Sequence, residues 1–174
     1  MLYCSHMEII LILTAIIQSI SISLGLGGST LAIANFFVAI ADGKIDENER
    51  RMMGVVYIVL RVAMILILVT TIALGVFNIL ISSYSATPFV IAQWIVIVVL
   101  FGNSSLMKLH KMPSTMGPAL QAGSWYTLGI LLALMQLTHT SFPLVQFLLA
   151  YVAAIAFAVY MVNGIMALLK KPKV

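Results

Sequence analysis

From Ile9 to Ala41 the chain runs without a single Asp, Glu, Lys or Arg, and from Met52 to Ala86 it does so again except for Arg61. Each stretch exceeds the roughly 20 apolar residues a helix needs to cross a hydrocarbon core about 30 Å thick. Between them lies Ala-Asp-Gly-Lys-Ile-Asp-Glu-Asn-Glu-Arg-Arg, residues Ala41 to Arg51. It carries Asp42, Lys44, Asp46, Glu47, Glu49, Arg50 and Arg51, half of the charged side chains of a sequence with nine basic and five acidic residues. In lipid every backbone N–H and C=O must be bonded within its own segment, so the pattern dictates two membrane helices joined by a water-facing turn.

Composition extends this to the whole chain. At 63% hydrophobic, 8% charged and a mean hydropathy of +1.16, the sequence is far from the roughly half apolar, one-quarter charged balance of soluble domains. Its 174 residues hold at most about six or seven spans and leave no room for a sizeable soluble domain. Turn residues and apolar runs predict an all-α, single-domain bundle of five transmembrane helices over about 9–41, 47–81, 88–108, 118–137 and 143–169. No Lys or Arg precedes the first run, so it lacks the basic start of a secretory signal and is expected to be retained.

The basic residues fix an expected orientation. Lys44, Arg50 and Arg51 follow helix one, Lys108 and Lys111 follow helix three, and Lys170, Lys171 and Lys173 close the chain, while the turns near Tyr84 and Ser141 carry none. This alternation fits five spans, with the N-terminus outside and the C-terminus in the cytoplasm of a cell that places the protein in its cytoplasmic membrane. Tyr3, Tyr84 and Trp94 then fall toward the outer interface, Trp125 and Tyr126 toward the inner one. The net charge of +4 is spread over helix ends and forms no continuous basic face, so a nucleic-acid partner is not expected.

Two local features mark the first hairpin. Gly25-Leu-Gly-Gly-Ser29 places small residues at four-residue spacing, with Ser21, Gly25 and Ser29 on one row and Gly27 and Gly28 beside it. Such a face lets another helix approach closely in lipid. Alternatively it marks a break in an overlong helix, where freed backbone groups coordinate an ion or substrate. In the turn, Gly43 suits a helix C-cap, and Asp46 with Glu49 three residues on forms a variant capping box. Asp42-Gly43 through Glu49 also looks like the later half of a calcium loop, but the first ligand positions would be Val38 and Ile40, which offer no side-chain oxygen.

Arg61 is the one basic residue within a span. Counted from Met52 it lies about 15 Å deep, near the midplane of a core about 30 Å thick. Insertion there costs about 2.5–3.5 kcal/mol, which asks for a reason. It either bonds to carbonyls and amides or snorkels to the headgroups, or it forms an anion site for a lipid phosphate, a haem propionate or a transported anion. Arg61, Gln18, Asn35, Gln93 and Asn103 make up the candidate ligand-binding set. A second candidate combines Cys4, His6 and Met7 with His139, whose thiolate, thioether and imidazole groups suit copper. A weaker trio is His110, Met112 and Met116. Haem would want histidines inside the spans, and all three lie at or near helix ends. No Ser/His/Asp set, paired intramembrane carboxylates, phosphate-binding glycine loop or HExxH motif is present, so an enzyme is not expected.

At Ser23-Leu-Gly-Leu-Gly-Gly-Ser-Thr30, followed by Asp42-Gly-Lys-Ile45 and a second long apolar helix, the chain resembles a family of small, largely uncharacterised prokaryotic multi-pass membrane proteins with a glycine-rich first helix. More distantly it is similar to membrane proteins of the copper-resistance protein D type. The resemblance covers residues 8 to 80 and implies a compact helical bundle in a cytoplasmic membrane, with copper or haem handling at the far end of the relationship. Three functions are therefore expected: a non-enzymatic structural or assembly component of a homo-oligomer or larger membrane complex; an anion, lipid or small-solute binding or transport module centred on Arg61; or a copper or haem protein.

Overall fold

A computed structural model describes residues 2–42, 46–81, 87–113, 116–135 and 143–169. They form five helices and no strand: α1 (Leu2–Asp42), α2 (Glu47–Ile81), α3 (Pro88–Lys108), α4 (Met116–Met135) and α5 (Leu144–Leu169). By length and composition α1, α2, α3 and α5 can each cross a membrane. Their outward faces carry large apolar side chains such as Ile16, Ile58, Ile65, Val98, Val145 and Leu149, as lipid requires in place of water.

The helix ends follow from local chemistry. At the start of α2 the backbone N–H of Asp46 donates to the Glu49 carboxylate at 3.0 Å, and Arg50 N–H bonds the Asp46 carbonyl at 3.0 Å. This is the reciprocal half of the expected capping box. Pro88 opens α3 directly after Thr87, where a missing N–H costs nothing. α3 ends with His110 in the left-handed region, φ 55°. The His110 N–H reaches the Met107 carbonyl and the Lys111 N–H the Leu106 carbonyl, the paired bonds of a Schellman cap. α4 starts at Met116, ahead of the expected Pro118, because a proline fits within a first turn whose N–H groups need no intrahelical acceptor. The C-cap expected at Gly43 and the turns near Tyr84 and Ser141 lie outside the described residues.

α1 does not break at its glycines. It is continuous over 41 residues, about 60 Å at 1.5 Å per residue, and includes the segment before Ile9. What compensates for the glycines is packing within the chain. A Cβ on Gly25 would collide with the Trp125 ring of α4, and one on Gly28 would lie 3.1 Å from Leu60 of α2. Ser21, Ser29 and Thr30 donate their hydroxyls to carbonyls of their own helix, so these polar side chains need no further partner to sit in lipid.

α4 is the central element. Gly117, Ala119, Gln121, Ala122, Gly123, Ser124, Trp125, Thr127, Leu128 and Leu131 are all buried, and it packs on α1, α3 and α5. Its polar residues are those least suited to lipid and are covered by protein. Trp125, expected in the inner aromatic belt, is instead fully buried in the core, because only a glycine faces it on α1. Its neighbour Tyr126 is exposed and meets Thr30 of the same helix α1 at 2.8 Å; since Thr30 donates to Leu26, the tyrosine is the donor.

Candidate functional site: a cationic cleft between α2 and α3

Among the described residues α2 packs its backbone extensively against α1 alone. It reaches the other helices through long side chains. Gln18 of α1 and Gln93 of α3 both donate their amides to Thr71 Oγ1 of α2, at 3.3 Å and 2.9 Å. Gln121 of α4 donates to the Met64 sulfur of α2 at 3.6 Å. Because α2 stands off from α3 and α4, a cavity of about 540 Å³ opens between them, lined by Tyr57, Leu60, Arg61, Met64, Ser104, Met107, Lys108 and Gln121. That is within the roughly 300–1,000 Å³ of small-molecule sites.

The shared Thr71–Gln93 bond sets the register of the two antiparallel helices. Arg61 lies ten residues before Thr71 and Lys108 fifteen residues after Gln93, so they stand about 15 Å and about 22 Å below that bond. Arg61 is thus only about 7 Å above the level of Lys108. α3, with 21 residues, is about 31 Å long and matches one hydrocarbon core. At this end α2 overhangs α3, its helix beginning at Glu47.

Helical Cα–Cβ bonds tilt toward the helix N-terminus, so along the helix axes the Arg61 and Lys108 side chains start toward one another's level. Both are exposed at the mouth of the one open cavity, whose lining contains no carboxylate. The described carboxylates of the hairpin, Asp46, Glu47 and Glu49, begin α2 well below this level.

Behind Gln121, which lines the cavity, α3 and α4 share a polar cluster. Asn103, 2% exposed, donates to the Gly117 carbonyl at 2.9 Å and to Gln121 Oε1 at 3.1 Å, while its own Oδ1 is buried without a partner. Gln121 is itself buried, and among the described residues its Nε2 donates to the Met64 thioether, a weak acceptor. A stronger acceptor in the cavity would gain that amide donor.

The expected ligand set is therefore split. Arg61 lines the cavity and Asn103 holds the lining residue Gln121 from behind. Gln18 and Gln93 meet at Thr71 about 15 Å away, and Asn35 is half-buried on α1 with its Nδ2 unbonded. Lys108 and Gln121 join the site only through the fold: in sequence the lysine is an orientation charge, and nothing short of the helix register places it on the same cavity as Arg61. Of the packing set, Ser21, Gly25, Gly28 and Ser29 are buried within the chain, and Gly27 faces open space. Of the soft-ligand set, Cys4 belongs to the first turns of α1, His6 is exposed and Met7 half-buried, while His139 lies outside the described residues. His110 caps α3. Among the described residues no three His, Cys, Asp or Glu side chains converge.

Comparison with family models, curated proteins and solved structures yields no match to this chain.

Proposed function

We propose that the protein is a non-enzymatic, five-span membrane protein that binds or transports an anion in the cleft between α2 and α3. The observation that carries this is the placement of Arg61 and Lys108 on the same cavity with no carboxylate in its lining. Two cations on one cavity lining favour an anion that accepts from both. The buried Gln121 amide adds a neutral donor.

α4 serves as the fifth span in this reading. Its 20 residues are about 30 Å long, and the protein around it shields its polar first half. The Lys and Arg distribution supports an outside N-terminus and a cytoplasmic C-terminus in a cytoplasmic membrane, which puts the cleft's mouth at the inner leaflet. Native mass spectrometry of the protein released from its membranes tests the function. Wild type is expected to carry an anionic mass that Arg61→Leu loses while keeping its helical circular dichroism. Equal retention by the variant contradicts the proposal.

A second reading, assembly through α1, is favoured by Gly27, where a Cβ would meet nothing within 4 Å, and by the exposed Ser23 beside it. Together they leave a small-residue face on which another helix could pack. Gly27→Leu should then lower the oligomer mass in mild detergent, and an unchanged mass removes this reading.

A further inference from the structure

We infer that the cleft takes a small organic anion with an apolar body, whose charged group lies between Arg61 and Lys108 and whose neutral acceptor, a carbonyl or hydroxyl oxygen, meets the Gln121 amide. This rests on the cleft being an anion site and adds which class of anion fills it. The cavity holds about 540 Å³, room for an organic molecule, where a single inorganic ion would reach one end only. Besides the two cations its lining offers the Gln121 amide and the Ser104 hydroxyl, and Leu60, Met64 and Met107 make much of the rest apolar.

The aim of Gln121 is fixed from behind. Asn103 directs its amide at two oxygens, the Gly117 carbonyl at 2.9 Å and Gln121 Oε1 at 3.1 Å. Gln121 therefore presents its own oxygen to α3 and its Nε2 to the Met64 thioether on the cavity lining. A donor resting on so weak an acceptor gains from an oxygen brought in by a ligand. Asn103 is the positioning residue for that donor. Spacing then sets the shape of the ligand. Met64 follows Arg61 by three residues and Asn103 precedes Lys108 by five, so the Gln121 amide stands about 5–8 Å along the helix axes from the two cations. An inorganic anion satisfies the cations and leaves Gln121 on its thioether. An uncharged molecule satisfies Gln121 and leaves the cations to water. A keto or hydroxy acid with its oxygen across an apolar body from the acid group satisfies both and covers the apolar wall.

The test measures binding of 6-oxoheptanoate, its isomer 2-oxoheptanoate and inorganic phosphate to the protein in an uncharged detergent by isothermal titration calorimetry, with empty micelles as the blank. The isomers share charge and composition and differ only in where the ketone stands, far from the carboxylate or next to it. Wild type should bind 6-oxoheptanoate at least about fivefold more tightly than 2-oxoheptanoate, the effect of one hydrogen bond from a buried amide. It should bind it at least about tenfold more tightly than inorganic phosphate, from the apolar carbons it buries. Gln121→Leu, or Asn103→Leu where the first variant does not fold, should bring the two isomers within about twofold of each other by loss of affinity for 6-oxoheptanoate alone. Equal binding of the isomers by wild type, phosphate bound as tightly as 6-oxoheptanoate, no binding of 6-oxoheptanoate, or a full isomer gap in folded Gln121→Leu overturns the organic-acid assignment and leaves the anion site to its own test. If folded Arg61→Gln binds the probes as wild type does, the anion site itself falls, and the assignment with it.

Discussion

The Trp125 indole of α4 occupies the space that a side chain on Gly25 of α1 would need. This contact locks the central helix to the first hairpin, and it explains why glycine appears in the middle of a 41-residue helix despite costing about 1 kcal/mol relative to alanine. Gly25→Ala should therefore destabilise the folded protein by about 1–3 kcal/mol through overpacking. Gly27→Ala, with nothing near its Cβ, should be neutral or stabilise by up to about 1 kcal/mol. Thermal or denaturant unfolding in detergent separates the two; equal effects would contradict the packing described.

Thr71 is the joint at which three helices meet, since Gln18 and Gln93 both donate to its hydroxyl oxygen. Thr71→Val keeps the shape and removes the acceptor. At about 0.6 kcal/mol per interhelical bond in membranes, the loss should be about 1 kcal/mol. Combining it with Gln93→Leu should cost less than the two single losses added together, because they share a bond. Strict additivity would count against the joint.

His110 holds the one positive φ among the described non-glycine residues. Its backbone bonds close the α3 cap, while its side chain is exposed. His110→Gly should raise stability by about 0.5–1 kcal/mol by relieving the left-handed backbone. A loss of stability would mean that the imidazole itself contributes there.

Much of this architecture was legible in the sequence because lipid makes simple demands. Uncharged runs give the helices, and Asp46 with Glu49 marks the start of α2 from spacing alone. What sequence could not supply was lateral neighbourhood. In sequence the position of Trp125 near a helix end suits a belt residue; the decisive fact, a glycine opposite it on α1, is a tertiary match. Lys108 and Gln121 stayed out of the candidate site for the same reason: separate stretches of sequence carry no register between them until the Thr71–Gln93 bond provides one.

Orientation is tested independently of ligand. In a Cys4→Ser background, Lys111→Cys should be labelled by a membrane-impermeant maleimide only after the cytoplasmic side is opened, and Thr87→Cys should be labelled in intact cells. The opposite pattern would invert the topology and move the cleft's mouth to the outer leaflet.

The most direct test of the cleft compares Arg61→Lys with Arg61→Gln in retention of an anionic mass by native mass spectrometry. A cation that binds an anion predicts that lysine keeps retention within about threefold of wild type and that glutamine loses about tenfold or more, with both variants folded. Wild-type retention by the glutamine variant would contradict the account, because it would mean that the charge at Arg61 holds no ligand.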